Sequence, residues 1–254
     1  MAWYSFLDYI FGPLLPLGPF WAIFILALFV SVLITLVYKY MTNQQLMKEM
    51  KDKQKEAQNK IKELKDRPEE IMRMQKEMMK QNFEYMKHSF KPTFITMIPV
   101  LLIFGWMAAV FSYEPVYPGE TFGITAEFLE EVKGEAELVI DLDQGTELIG
   151  SAKQEIKEGK ASWQLKSTEG EHLLKVKTGN QEQTKKVLIT TQLKTESAMD
   201  TYLHSDIKSI KIDYKPLKPL GGFDIFGWKP GWLGIYIILS LIFSLALRKI
   251  LNVY

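Results

Sequence analysis

Residues 20–38 read FWAIFILALFVSVLITLVY, and this stretch decides the class of fold because it contains no charged side chain. The same absence of Asp, Glu, Lys and Arg extends over residues 9–38, 92–113 and 230–247. A helix rises about 1.5 Å per residue, so roughly 20 apolar residues are needed to cross about 30 Å of hydrocarbon. The sequence therefore predicts a membrane protein with three transmembrane helices, near residues 20–38, 94–112 and 231–247.

Basic and acidic residues are divided unevenly between the two connections of these spans. Residues 39–91 carry fourteen Lys or Arg against nine Asp or Glu, whereas residues 114–229 carry fifteen Lys against twenty Asp or Glu. Basic residues accumulate on the cytoplasmic side of a membrane. We therefore expect a multi-pass protein of the cell membrane with its N-terminus outside and with residues 39–91 and the C-terminus in the cytoplasm.

The connection between the first two spans has the pattern of a helical hairpin. Apolar or uncharged side chains recur at heptad a and d spacing at Met47, Met50, Gln54, Ala57, Ile61 and Leu64. Asp66 and Pro68 suit the start of a second helix, in which Pro92 is expected to cause a break or a kink. The pattern predicts an antiparallel coiled coil that stands off the membrane.

The second arm of this hairpin has more apolar side chains than the first arm can cover. One seam consists of Ile71, Met74, Met78 and Tyr85, and another consists of Met72, Met79, Phe83, Met86 and Phe90. Methionine is flexible and polarizable, so it suits surfaces that accept many apolar shapes. Three interpretations remain open: the methionines fill a coiled-coil core, contact client proteins, or pair with a second copy. The sequence leaves open which seam is exposed; the candidate client-binding residues are Met47, Met50, Met72, Met74, Met78, Met79, Phe83 and Met86.

Polar side chains inside the spans are a second candidate feature, because such residues are rare in hydrocarbon. Under the expected topology most of them lie in the cytoplasmic half of the membrane. They could line a hydrophilic groove, although Ser and Thr in membrane helices also bond to their own preceding turn. The candidate groove residues are Ser31, Thr35, Tyr38, Thr93, Thr96, Tyr236, Ser240, Ser244 and Arg248.

The segment between the second and third spans changes character. Short β-rich runs separated by turn residues predict six or seven strands and a small sandwich of immunoglobulin-like style. The domain organisation predicted is an outer interfacial segment with span 1 (1–38), a cytoplasmic hairpin (39–91), span 2 (92–113), an extracytoplasmic β-domain (114–222), and an interfacial segment with span 3 and a short tail (223–254). The sequence does not indicate what the β-domain binds.

The sequence lacks the residue patterns typical of catalytic or metal-binding sites. The chain has no cysteine and three histidines, His88, His172 and His204, without ligand-spaced partners. We find no Gly-rich phosphate loop, nucleophile elbow or zinc signature. We therefore expect no metal, no cofactor, no catalytic residue and no recognition of a nucleic-acid sequence, and we do not expect an enzyme.

The parts of the chain together resemble the archaeal YidC-like proteins of the YidC/Oxa insertase superfamily, which includes a core subunit of the endoplasmic-reticulum membrane protein complex. The resemblance covers residues 1–112 and 223–254. It rests on VYKYMTNQQLMKEMKDKQKEAQ at the end of span 1, KPTF at the entry to span 2, and GWLGIYIILSLIFSLALRKIL in span 3.

The resemblance implies an insertase or membrane chaperone whose hairpin receives hydrophobic nascent membrane proteins and whose groove passes their polar parts into a thinned bilayer. The chain lacks the basic residue that many bacterial relatives place within the groove; the nearest are Lys39 and Arg248. Only six residues follow Arg248, so we expect at most a weak contact with the ribosome. The alternative function is a non-catalytic receptor or scaffold that binds through the β-domain and assembles through the coiled coil.

Overall fold

Five α-helices and nine β-strands make up the computed structural model over the residues it describes, 6–63, 67–140, 145–224 and 227–253. The helices are α1 (Phe6–Phe11), α2 (Pro19–Met41), α3 (Gln44–Glu63), α4 (Pro68–Phe111) and α5 (Trp232–Leu251), with a 3-10 helix at Gly12–Leu17. The chain divides into two compact units, one formed by Phe20–Gly105 and Leu233–Tyr254 and the other by Ser5–Pro19 and Trp106–Trp232.

Among the described residues, three helices are long and apolar enough to cross a membrane, which agrees with the sequence prediction. They are Pro19–Met41, Phe90–Phe111 within α4, and Trp232–Leu251. Much of their surface is exposed in the protein alone, as expected for side chains that face lipid.

A two-residue connection joins α2 to α3, because local hydrogen bonds stop one helix and start the next. Thr42 Oγ1 donates to the Tyr38 carbonyl at 2.6 Å at the end of α2. Asn43 Oδ1 accepts from the Leu46 amide at 3.1 Å, which is an N-cap for α3. The predicted turn residue Asp66, like Leu64, lies outside the described residues, but α4 does begin at Pro68 as a first-turn proline.

Of the two outcomes expected at Pro92, a break or a kink, the break does not occur, because helix α4 continues through this residue. Its 44 residues contain Pro92 and Pro99. A proline inside a helix removes one backbone hydrogen bond, which nearby Ser or Thr side chains and neighbouring helices help to offset in membranes. Thr96 Oγ1 donates to the carbonyl of Pro92 itself at 3.1 Å, which is not the carbonyl that the proline leaves unpaired. The predicted boundary between hairpin and span 2 therefore falls inside one helix, about 66 Å long at about 1.5 Å per residue.

The β-rich segment forms two antiparallel sheets. In chain order the strands are β1 (Thr121–Phe128), β2 (Glu135–Ile140), β3 (Thr146–Ile149), β4 (Lys153–Glu155), β5 (Lys160–Ser167), β6 (Gly170–Thr178), β7 (Gln181–Ile189), β8 (Met199–Thr201) and β9 (Ile207–Ile212). One sheet has the order β3-β5-β1-β9-β8 and the other β4-β2-β6-β7. The predicted β-rich domain is confirmed.

Alternating side chains from both sheets meet in one hydrophobic core. Ile124 of β1, Leu165 of β5 and Val187 of β7 are all completely buried in it. Trp163 is 3% exposed, and its Nε1 donates to the Ala152 carbonyl at 2.8 Å. Lys185 and His172 are among the polar side chains buried in this domain, and both have partners, as buried polar groups require. Lys185 Nζ contacts Asp200 Oδ1 at 2.8 Å, and His172 Nε2 donates to the Thr168 carbonyl at 2.8 Å.

Two tyrosines of the domain are partly removed from water, Tyr214 being buried and Tyr202 half-buried. Burial raises the pKa of Tyr214 to about 12 and that of Tyr202 also to about 12. Both phenols are therefore neutral at physiological pH. Tyr202 accordingly donates its hydroxyl proton to the Thr184 carbonyl at 2.8 Å.

Candidate functional site

The two apolar seams predicted on the second arm lie on opposite faces of α4. Met74, Met78 and Gln81 line a small space between α4 and α3, together with Lys53, Glu56, Ala57, Lys60 and Glu77. Gln54 Nε2 of α3 donates to Asn82 Oδ1 of α4 at 2.6 Å on the same side. The seam that contains Met74 and Met78 is therefore the one that faces the partner helix.

The other seam faces outward. Its side chains are exposed to the following extents: Met72 66%, Met79 72%, Phe83 60%, Met86 47% and Phe90 46%. Large apolar side chains are not rare at protein surfaces when they are scattered singly, but a contiguous set indicates an interaction surface. The structure thus answers a question that the sequence left open, namely which seam is exposed.

The exposed seam does not stop where the membrane span begins. Phe94, Met97 and Leu101 continue it and are 59%, 44% and 58% exposed. Successive members from Met79 onward are three or four residues apart, and at 100° per residue the whole set stays within about 40° of one line along the helix. We call this set the apolar stripe; its members are Met72, Met79, Phe83, Met86, Phe90, Phe94, Met97 and Leu101.

Four of the predicted client-binding residues lie in buried or partly buried positions. Met47 is completely buried and Met50 is 9% exposed, and both lie in the first half of α3. Met74 and Met78 line the space between α3 and α4. The exposed candidates are Met72, Met79, Phe83 and Met86.

Several hydroxyl groups of the predicted groove bond within their own helices. Thr35 Oγ1 donates to the Ser31 carbonyl at 2.7 Å, and both residues are buried. Thr96 bonds to its preceding turn as described above. Ser240 Oγ donates to the Ile237 carbonyl at 3.0 Å. These contacts are those of the alternative interpretation, in which the hydroxyls are satisfied locally.

Aromatic and cationic contacts bring the three spans together at two levels. The Arg248 guanidinium of α5 lies 5.5 Å from the centre of the Tyr38 ring of α2, which is a cation-π geometry. The rings of Tyr236 in α5 and Phe104 in α4 are 4.8 Å apart. The remaining two groove candidates are Thr93, which is exposed, and Ser244, which is half-buried.

A contact that sequence reasoning missed holds α1 against the end of α4. Trp106 is completely buried, and its Nε1 donates to Asp8 Oδ1 at 2.6 Å. The Phe11 ring lies 5.5 Å from the Trp106 ring. The two residues of the hydrogen bond are 98 positions apart, so no local pattern signals their pairing.

The described part of the chain contains no candidate metal site. Within residues 6–63, 67–140, 145–224 and 227–253, no group of three or more His, Cys, Asp or Glu side chains is placed to hold a metal ion. His172 is buried and bonded to Thr168 and Thr146, and His204 is exposed. The side chain of His88 lies outside the description.

Comparison with known families finds one match. The family model described as integral membrane protein EMC3/TMCO1-like matches residues 8–132, about half of the chain. Comparisons with curated proteins and with solved structures find no match. The match covers the first two spans, the helices between them and the first strand of the β-domain.

The fold and this match define a multi-pass integral membrane protein of the insertase type. Residues 8–132 belong to the EMC3/TMCO1-like family, which is part of the YidC/Oxa superfamily of insertases. The resemblance expected from the sequence is thereby confirmed. Insertases of this family are non-catalytic in general.

Proposed function

We propose that the protein receives hydrophobic segments of newly made membrane proteins on the apolar stripe and delivers them along α4 into the bilayer. The observation that carries this proposal is the continuity of the stripe: it begins on a charged helical arm outside the membrane and runs along the same helix into the second span. Each fully buried apolar side chain contributes about 1.5–3 kcal/mol, so a few contacts suffice to hold a client transiently.

The proposal includes an orientation. The arm formed by α3 and the first half of α4 carries the basic excess described above, so the positive-inside rule puts it in the cytoplasm. Clients emerge there as they are synthesised. The N-terminus and the β-domain then lie outside, and the arm is an antiparallel coiled-coil hairpin.

Site-specific crosslinking tests the client-binding role. We expect photo-crosslinkers at Met79 and Met86 to capture nascent membrane proteins at least about tenfold more often than a crosslinker at Arg73, which is exposed on a different face of the same arm. Crosslinkers at Met74 should react mainly with α3. Equal capture from Met79 and Arg73 would contradict the proposal, and crosslinks confined to copies of this protein would favour a scaffold.

The groove is the second element of the proposed function. Burying a polar group in hydrocarbon costs several kcal/mol, so a hydrated path among the spans would ease the passage of polar residues that flank a client segment. Ser244 and the Tyr38–Arg248 pair are the groups that support such a path, because Ser244 is half-buried and the Tyr38–Arg248 contact joins two different spans.

Cysteine accessibility tests the groove without interference, since the chain has no native cysteine. Under the proposal, a Ser244→Cys variant reacts with a water-soluble thiol reagent added from the cytoplasmic side. The neighbouring Leu245 is 71% exposed in the protein alone and faces lipid in the membrane. We expect Leu245→Cys to react at least about tenfold more slowly, because the reactive thiolate needs water. Equal rates would argue for dry packing of the spans.

A further inference from the structure

A cavity of about 720 Å³ lies in the unit that contains α1 and the β-domain. Its walls come from the 3-10 helix, the last turn of α4, the chain after α4 and the loop that follows β7. Its volume is in the range of sites that enclose small organic ligands. The apolar side chains that line it include Leu15, Pro16, Val110, Pro115, Leu193 and Leu217.

The position of this cavity follows from two of its own lining residues. Pro19 is the first residue of the first candidate span, and Val110 is the last residue but one of the second. Because both line one cavity, the cavity lies at the membrane face where span 1 begins and span 2 ends. This placement holds for either orientation of the protein in the membrane.

The shape of the wall depends on a glycine. Gly18 joins the 3-10 helix to α2 with φ 90° and ψ 158°, a conformation essentially restricted to glycine. Its amide donates to the Leu15 carbonyl at 3.0 Å. The turn therefore keeps Leu15 and Pro16 beside the start of the first span.

The cavity carries one group of each charge, Asp8 and Lys194. The Asp8 carboxylate is fixed through Oδ1 by the Trp106 indole, which leaves Oδ2 available. The Lys194 ammonium makes no hydrogen bond or ion pair within the described residues; it interacts at longer range with the exposed Glu171 carboxylate, which itself pairs with Lys186. A ligand with one negative and one positive group would match this pair, whereas a purely anionic ligand would be repelled by the Asp8 carboxylate.

We propose that this cavity binds a zwitterionic phospholipid with a primary amine in its head group. The lipid phosphate faces Lys194, the head-group ammonium faces Asp8, and an acyl chain covers Leu15, Val110 and Leu217. Lipid is the occupant because the cavity opens at the level where head groups meet hydrocarbon, and its lining combines apolar walls with a charged pair. The proposal is independent of the insertase role, since none of these residues belongs to the apolar stripe.

Native mass spectrometry of the full-length protein tests this site. The protein is reconstituted in nanodiscs with equal amounts of phosphatidylethanolamine, phosphatidylglycerol and phosphatidylcholine of identical acyl chains, and is then released into mild detergent. We expect one retained phosphatidylethanolamine per protein. Lys194→Gln and Asp8→Asn should each lower its retention about three- to fivefold, as expected for a partly exposed ion pair, and the double variant about tenfold or more.

The choice of variants separates lipid binding from folding. Asn at position 8 still offers an oxygen to the Trp106 indole, so the contact with α4 is kept while the charge is removed. Lys133→Gln is the matched control, because Lys133 is an exposed lysine of the same domain that does not line the cavity. Equal retention of the three lipids, a preference for phosphatidylglycerol, or retention unchanged in both Lys194→Gln and Asp8→Asn would overturn the proposal.

Discussion

Changing Met79 and Phe83 together to aspartate should lower client capture and membrane insertion about 100-fold. The two side chains are 72% and 60% exposed and lie four residues apart on the apolar stripe. If a client buries them only partly, their loss removes about 3 kcal/mol, and every 1.4 kcal/mol is a factor of ten in affinity. The two new charges also face the client, which adds a desolvation cost.

The measurement is insertion of a reporter membrane protein into liposomes that contain the purified variant. Met79→Leu combined with Phe83→Leu is the control, because leucine keeps the stripe apolar and should retain most of the activity. Substitutions at such exposed positions usually change stability by no more than about 0.5 kcal/mol, so the aspartate variant should remain folded. Full insertion by the folded aspartate variant would show that the stripe does not contact clients.

Leu165→Ala should destabilise the β-domain by about 2–5 kcal/mol, the usual cost of removing a large aliphatic side chain from a core. Leu165 is completely buried in β5, where it pairs with Phe122 of β1 and Leu148 of β3. Hydrogen exchange measured by mass spectrometry on the full-length protein reports this loss as faster exchange in peptides that cover residues 160–167.

Leu173→Ala is the matched control for that substitution. Leu173 lies in β6 of the same domain but is 48% exposed, so the same chemical change should cost well under about 1 kcal/mol. The first two spans should keep their protection in both variants, because Leu165 belongs to the core of the β-domain. Similar effects of the two leucine substitutions would mean that the domain does not fold around this core.

The sequence predicts the three spans well, because an uncharged apolar run of about 20 residues has few possible structures other than a membrane-spanning helix. It also predicts the six longest strands, whose apolar residues alternate with polar ones. Strands β3, β4 and β8 escape prediction since they are three or four residues long and have too few positions for a period to appear.

The candidate site is only partly predictable. The sequence identifies two apolar seams on α4. Because α3 has only a thin apolar stripe, either seam could pack against it. Contacts such as the Gln54–Asn82 hydrogen bond determine which seam does so. The sequence also leaves open whether Pro92 breaks or kinks the helix, and the helix continues through it without a break. The cavity that contains Asp8 and Lys194 is built from segments almost 200 positions apart and has no local signature.

The uninterrupted course of α4 through Pro92 has a kinetic consequence for the proposed function. A client segment that moves one turn along the stripe exchanges one methionine or phenylalanine for another, so neighbouring positions are nearly equal in free energy. No loop has to close and no polar gap has to be crossed between the arm and the lipid. Transfer then resembles one-dimensional diffusion with little change in free energy between neighbouring positions. The large decrease in free energy comes at the end, when the segment leaves water for hydrocarbon.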